Sequence, residues 1–336
     1  MSTPAIRTTA LTRVYETYEK PEGVWNSVRG FWDRKYISRV ALQPTDLEIH
    51  RGQIVGLVGA NGAGKTTLLK LLSGLIHPSG GEARVLGHLP NKRESIYLRR
   101  ISILLGQKSQ LWWDIPAADS FALLAKIYDL PVVQTRARVQ ELAGILDCRH
   151  VLQTQLRRLS LGERMKMEII GSLLHDPEVL FLDEPTIGLD VVAQTTIRSF
   201  LSQYVKERNP TVILTSHYMD DIARLANRLL LISKGAIVYD GTVPEFMGRT
   251  EREQRITLRY AEPLAAGLDL GGGRGVLAGA EEVNLQVPSR DLPETVRRLT
   301  QAATVQDLKI EEPDFEEIIR KFLQAESSVL PSGDRK

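Results

Sequence analysis

The sequence predicts an α/β protein built on a phosphate-binding loop, with a smaller α+β unit at its C-terminal end. Three observations carry this. Short β-branched apolar runs recur through the first two thirds of the chain, as in strands buried on both faces of a parallel sheet. One of them, Ile54 to Val58, runs straight into the glycine-rich stretch Gly59-Ala60-Asn61-Gly62-Ala63-Gly64-Lys65-Thr66 and then a helix-forming Leu-Leu-Lys. Polar residues also follow other such runs directly, as Gly106-Gln107, Asp183-Glu184 and Ser216-His217. In an open α/β sheet these are the strand ends where ligands bind.

In chain order, Ile6 to Leu11 and Val40 to Ile49 read as strands. Between them lies an insertion, Glu19 to Arg39, in which Val24, Trp25, Val28, Phe31 and Trp32 recur at helical spacing among Arg29, Arg34 and Lys35. An amphipathic segment of this kind suits a membrane–water interface, and packing on its own domain fits equally well. Gly80 to Val85 reads as a turn into a strand, and Ile101 to Leu105 as a strand ending at Gly106-Gln107. Trp112-Trp113, before Asp114-Ile115-Pro116, mark an aromatic loop suited to a partner contact or a local plug. Residues 117–156 read as helices separated by Pro131. Leu159-Ser160-Leu161-Gly162-Glu163 opens a further helix, with Ser160 and Glu163 in capping-box spacing. Val179 to Leu182 and Thr211 to Thr215 are strands, and Arg228 to Ser233 and Ala236 to Tyr239 a strand pair. Past a boundary near residue 247, strands Ile256 to Tyr260, Glu282 to Val287 and Val305 to Ile310 accompany helices at Leu292 to Ala302 and Pro313 to Gln324. The expected divisions are 1–247, containing the insertion 19–39 and a helical part at 107–160, then 248–326, and a tail 327–336.

Composition narrows the partners. The 336 residues are 43% hydrophobic and 25% charged, ordinary for a globular protein, and the net charge of +2 gives no reason to expect nucleic acid. A single cysteine, Cys148, excludes an internal disulfide. The N-terminal stretch lacks a signal-peptide pattern, and no apolar run reaches the ~20 residues that span a bilayer. Any membrane role is expected at the surface or through a partner.

The chemistry begins at the glycine loop. Its glycines permit backbone angles and close approaches that side chains forbid, so successive N–H groups can form a nest for phosphate oxygens. The positive end of the next helix points at the same place. Lys65 would reach the β- and γ-phosphates, and the Thr66 hydroxyl would sit on Mg²⁺. Beside a triphosphate, Asp183 and Glu184 divide naturally. Asp183 holds the metal's shell and Glu184 orients or deprotonates water for in-line attack. Gln107 could offer its carbonyl oxygen to Mg²⁺ or that water, and His217 could bond the γ-phosphate. Both residue types are also common as plain loop polar groups. Tyr15, at the end of the first strand, could stack on a nucleobase, with Tyr18 and Tyr36 as competitors.

Taken together, residues 5–247 resemble the nucleotide-binding subunit of ATP-binding-cassette (ABC) transporters. GANGAGKT is similar to the family's Walker A motif, LSLGE to its signature and VLFLDE to its Walker B motif. Gln107 falls at its Q-loop, Asp190 in its D-loop and His217 at its switch histidine, all in family order. The resemblance implies a RecA-like P-loop ABC ATPase core with an antiparallel β subdomain and a helical subdomain. It implies ATP and Mg²⁺ as ligands, with Gly59 to Thr66 and Thr67 binding the nucleotide and Thr66, Gln107 and Asp183 the metal. Ser160, Leu161, Gly162 and Glu163 would act on ATP held by a second copy, Glu184 would be general base, and His217 would hold its geometry. Leu161 and Glu163 stand where the family most often has Gly and Gln. The aromatic that stacks on adenine is Tyr15 by strand position or Tyr36 by spacing to the loop.

The insertion is similar to the gate helix of glycan-exporting subunits, and DLKIEEPDFEEIIRKFL to the closing element of ABC-2 type exporter ATPases. The resemblance therefore implies ATP hydrolysis that powers a separate multi-spanning permease, most often for lipid, glycan or drug export. The chain would then sit at the cytoplasmic face of the cell membrane. A soluble ABC ATPase acting on nucleic acid or ribosomes, and a nucleotide-dependent regulator, are the rival classes. The first usually carries two cassettes, coiled coils or zinc cysteines; Glu184 and His217 argue against the second.

Overall fold

The structure is a computed structural model that describes residues 3–18, 36–106, 108–216, 218–249, 253–261, 282–302, 304–312 and 315–329. Residues 19–35 of the insertion, Gln107, His217, the turn Gly271 to Gly275 and the tail from 330 lie outside the described residues. The side chains of Tyr18 and Tyr36 do as well.

The first unit spans Met1–Val243 and Leu323–Lys336. Strand β1 (Ile6–Tyr18) pairs antiparallel with β2 (Tyr36–Ile49). The sequence suggested a first strand ending at Leu11. Instead β1 bends through register shifts between Thr8 and Val14, with Ala10 at φ 45°, and its β-branched residues keep pairing to Tyr18. Next come β3 (Ile54–Val58) and helix α1 (Lys65–Leu72), then β4 (Gly80–Val85), the single turn α2 (Ser95–Leu98) and β5 (Ile101–Leu105). Strand β4 joins the other edge of β1, so the first sheet has the order β2-β1-β4.

Helices α3 (Ala117–Ile127) and α4 (Val132–Ile145) each begin right after a proline, Pro116 and Pro131, which cannot extend a preceding helix. Helix α5 (Leu161–Leu173) follows, then β6 (Val179–Asp183), α6 (Val191–Arg208), β7 (Thr211–Thr215), α7 (Met219–Leu225), β8 (Arg228–Ser233) and β9 (Ala236–Gly241). The main sheet runs β5-β6-β7-β3-β8-β9, parallel except for β9. Every residue of β6 and β7 is buried, which accounts for their unbroken apolar or β-branched runs. Register places Leu105, Asp183 and Thr215 side by side, with Leu57 of β3 opposite Thr215. Four strand ends therefore open on one edge of the sheet.

The second unit spans Pro244–Phe322. Helix α8 (Val243–Arg249) leads into an antiparallel sheet of β10 (Glu253–Tyr260), β11 (Glu282–Pro288) and β12 (Val305–Glu311), ordered β11-β10-β12. Helix α9 (Leu292–Ala302) adds Leu299 to a core of Ile256, Leu258, Tyr260, Val283, Leu285 and Val287. In α10 (Phe315–Val329), Phe315 and Phe322 meet Phe246 edge-on.

Candidate active site at the strand ends

The glycine loop has no room for side chains at the points that shape it. A Cβ on Gly59 would fall 2.2 Å from the Ile232 carbonyl oxygen of β8. Gly64, at φ +114°, would drive a Cβ to 2.5 Å from the Ala41 carbonyl oxygen. Gly64 is also the N-cap of α1, whose first turn has no side-chain cap. The N–H groups that begin a helix have no intrahelical partner, so Lys65, Thr66 and Thr67 present donors to the loop's concavity. Asn61 and Gly62 are exposed at its rim, while Ala63 is buried beneath it.

Lys65 folds back across the loop and its Nζ donates to the Gly59 carbonyl at 2.7 Å and the Ala60 carbonyl at 3.2 Å. The side chain is only 7% exposed. Burial lowers its pKa below the ordinary 10.5, while Glu184 and Asp183 pull the other way.

Asp183, at the end of β6, is held by two hydroxyls. Thr66 Oγ1 donates to its Oδ2 at 3.0 Å and Thr215 Oγ1 to its Oδ1 at 2.7 Å. Thr215 also receives the Glu184 N–H, at 3.1 Å on its carbonyl and 3.0 Å on its hydroxyl. Glu184 itself has φ 55°, a left-handed conformation that costs a non-glycine residue about 1 kcal/mol or more. Such strain persists where the surroundings enforce it, and here β7 does. Gly106 crowds the other side: its N–H donates to the Asp183 carbonyl at 2.8 Å, and a Cβ there would lie 2.5 Å from the Glu184 carbonyl oxygen.

The hydroxyl and carboxylate oxygens of Thr66 and Asp183 fit a hard cation such as Mg²⁺. Among the described residues no group of three or more His, Cys, Asp or Glu could hold a metal unaided. A cation here would take its remaining ligands from phosphates and water, as Mg²⁺ does beside nucleotides.

Ser160 caps α5 as the capping-box spacing suggested. Its Oγ accepts from the Glu163 N–H at 3.2 Å and donates to Glu163 Oε2 at 2.8 Å, and its N–H donates to Oε2 at 2.9 Å. The Ser160 N–H bond, before the hydroxyl bond, holds the Glu163 carboxyl below its usual value. Ser160 and Leu161 are exposed, and a Cβ on buried Gly162 would come within 3.0 Å of the Ala193 Cβ on α6. Asp190 caps α6, accepting from the Ala193 N–H at 2.8 Å.

Tyr15 lies within β1, opposite Arg39 of β2, and the Arg13 guanidinium lies 4.7 Å from its ring centre. Two contributors went unread in the sequence. Thr215 looked like an ordinary β-branched strand residue, yet its hydroxyl joins both acidic residues. Arg39 brings Nη2 to 3.2 Å from where a Cβ on Gly62 would stand, so a cation overhangs the loop. Thr215 meets Asp183 through the register of the main sheet and Arg39 reaches the loop from a strand of the other sheet, so no local spacing reveals either.

Below the strand ends lies a cavity of about 270 Å³, lined by Gly106, Lys108, Ser109, Trp113, Arg164 and Glu168. The Arg164 guanidinium sits 5.1 Å from the Trp113 ring centre. Trp112 and Trp113 are 41% and 46% exposed. Glu168 is buried and accepts from Ser109 Oγ and from the Gln110 and Leu111 N–H groups; burial pushes its pKa up against those bonds.

A glycine nest, a buried lysine and a hydroxyl–carboxylate pair at one sheet edge define a nucleoside-triphosphate-binding P-loop protein. A family model described as ABC transporter matches residues 42–187. The ABC transporter ATP-binding protein NatA of Bacillus subtilis is 30% identical, aligned over 71% of this chain and 96% of NatA. The daunorubicin resistance ATP-binding protein DrrA3 of Streptomyces coeruleorubidus is 32% identical over 85% of this chain and 92% of its own. A solved dimeric ATP-binding cassette, in a post-hydrolysis state with ADP and phosphate, has a TM-score of 0.60. At 20% identity, covering 71% of this chain and 98% of that one, it shows the shared fold. The chain belongs to the ABC transporter family and is one of its ATPases.

Proposed function

We propose that this chain is the ATP-hydrolysing subunit of an ABC-2 type exporter and drives a separately encoded, multi-spanning permease. Among the described residues no helix is long and apolar enough to cross a membrane. One relative with export in its printed name supports the direction of transport, the Nod factor export ATP-binding protein I of Cupriavidus pinatubonensis, 33% identical over 62% of this chain and 63% of its own. The working location is then the cytoplasmic face of the membrane, reached through the permease.

In this reading the N–H groups from Ala60 to Thr67 and the Lys65 ammonium hold the triphosphate of ATP, and Tyr15 stacks on the adenine. Thr66, Asp183 and Gln107 would hold Mg²⁺, which would supply charge neutralisation for the phosphoryl group in transfer. Glu184 takes a proton from water as its oxygen bonds to the γ-phosphorus. The bond from that phosphorus to the β,γ-bridging oxygen breaks, giving ADP and phosphate. His217 keeps Glu184 and the γ-phosphate in register. Ser160 and Gly162 of a second copy donate to the γ-phosphate, with Leu161, Glu163 and Asp190 beside them, so two copies close around two ATP molecules. The closing motion passes to the permease near Gln107 and Trp112-Trp113.

The observation that carries the reading is the Thr66–Asp183–Thr215 chain beside the strained Glu184 turn. The Glu184→Gln variant tests it. It should bind ATP normally, lose nearly all turnover and accumulate as an ATP-bound dimer in size-exclusion chromatography. Turnover at the unaltered rate would overturn the assignment.

A further inference from the structure

Asp221 is a buried carboxylate that none of the steps above uses. It lies in the first turn of α7 and is 1% exposed. Thr186 Oγ1 and Ser216 Oγ both donate to its Oδ2, each at 2.6 Å, and Arg198 Nε of α6 donates to its Oδ1. Thr186 and Ser216 are also buried, at 2% and 4% exposure. A carboxylate this deep is costly unless paired, and an apolar side chain would often be at least as stable in its place. What the carboxylate supplies is fixed geometry among three separate segments.

Those segments are the ones on which hydrolysis depends in the proposed reading. Thr186 lies in the turn that begins at Glu184, closed by the Ile187 N–H on the Glu184 carbonyl at 3.2 Å. Ser216 immediately precedes His217, and its Oγ also accepts the Tyr218 N–H at 3.0 Å. Asp221 thus holds the chain just before His217 directly and the chain just after it through Ser216. Arg198 belongs to the helix capped by Asp190. One carboxylate joins the Glu184 turn, the segment that carries His217 and the helix that starts at the D-loop.

We propose that Asp221 is a positioning residue for ATP hydrolysis, fixing the Glu184 turn relative to the residues flanking His217 and to α6. The proposal rests on Glu184 being the general base. The bonds of Asp221 run to Thr186, Ser216 and Arg198 and not to the phosphate loop, so its loss should lower turnover and leave nucleotide affinity alone.

The test compares Asp221→Asn, Thr186→Val and Ser216→Ala in the full-length protein, measuring kcat, MgATP affinity by calorimetry and thermal stability. Asp221→Asn should lower kcat roughly tenfold to hundredfold, the scale of a displaced catalytic group. Its MgATP Kd should stay within about twofold, an interaction lost only in the transition state. Thr186→Val and Ser216→Ala, each removing one bond, should lower kcat severalfold with the same split. In a Glu184→Gln background, Asp221→Asn should still permit the ATP-bound dimer.

A folded Asp221→Asn protein with unaltered kcat overturns the proposal. So does a fall in kcat matched by an equal loss of ATP affinity and of the ATP-bound dimer, which marks a scaffold role. If Asp221→Asn does not fold, the two hydroxyl variants decide, and unaltered kcat in both overturns it. Full turnover in Glu184→Gln alone overturns both the proposal and the reading beneath it. Loss of turnover there with unaltered kcat in the Asp221 series overturns the proposal alone.

Discussion

Replacing Thr215 with valine keeps the shape of the side chain and removes one hydroxyl. That hydroxyl donates to Asp183 Oδ1 at 2.7 Å and accepts the Glu184 N–H at 3.0 Å, in a residue that is fully buried. The Glu184 N–H keeps its second acceptor, the Thr215 carbonyl at 3.1 Å, so the main loss is one bond to a buried carboxylate. Removing the donor to a charged group in such a site costs about 2 kcal/mol. For a unit of this size that lowers Tm by ~4–8 °C. Freed on one side, Asp183 should also hold Mg²⁺ less well, so the Mg²⁺ concentration for half-maximal ATPase activity should rise. Thermal melts of the apoprotein and a Mg²⁺ titration of turnover measure the two effects, and Thr215→Ser, which keeps the hydroxyl, should recover most of both. A Thr215→Val protein that melts and titrates like the parent would refute the claim that this hydroxyl organises the acidic pair.

Other perturbations test other parts of the account. Gly59→Ala puts a Cβ 2.2 Å from a backbone oxygen and should cost ~3 kcal/mol or more, whereas Gly248→Ala, with nothing within 4 Å, should be neutral or slightly stabilising; urea melts compare them. Arg39→Ala removes the cation over the glycine loop and should raise the Kd for ATP about fivefold, ~1 kcal/mol, with little change in Tm. Glu178 bonds Arg100 and, less strongly, Arg51, and these hold its carboxyl below the ordinary 4.5. The native state therefore binds fewer protons there than the unfolded chain, so the contribution is present above pH 4.5 and fades as pH falls through the lowered value. The stability gap between parent and Glu178→Gln, on the order of 1 kcal/mol after solvent screening, should close in acid.

How far the sequence revealed all this depended on distance along the chain. Strand β3, the glycine loop and α1 are contiguous, so composition and order sufficed to foresee a phosphate cradle. The Ser160–Glu163 capping box spans a single helical turn and was equally readable. Asp183-Glu184 stood out because acidic residues directly follow an unbroken apolar strand. Thr215, Arg39 and Asp221 gave no such signal. Their partners lie 32, 23 and up to 35 positions away, brought together by sheet register for Thr215 and by the packing of separate elements for the other two. The expected strand Ile6 to Leu11 is shorter than β1, which passes through a bulge near Ala10 and keeps pairing beyond it. Tyr15, expected at the end of that strand, lies inside β1 with Arg13 beside its ring.

In the proposed reading each active site is assembled from two copies, which a complementation experiment can measure. Lys65→Ala disables the phosphate loop and leaves the 160–163 stretch intact, while Ser160→Arg does the reverse. Each variant alone should be inactive. In a mixed dimer one site combines the intact phosphate loop of one copy with the intact 160–163 stretch of the other. An equal mixture should therefore recover up to about a quarter of the parent's ATPase activity, if copies pair at random in a two-fold dimer. No recovery on mixing, with Ser160→Arg alone as active as the parent, would contradict the claim.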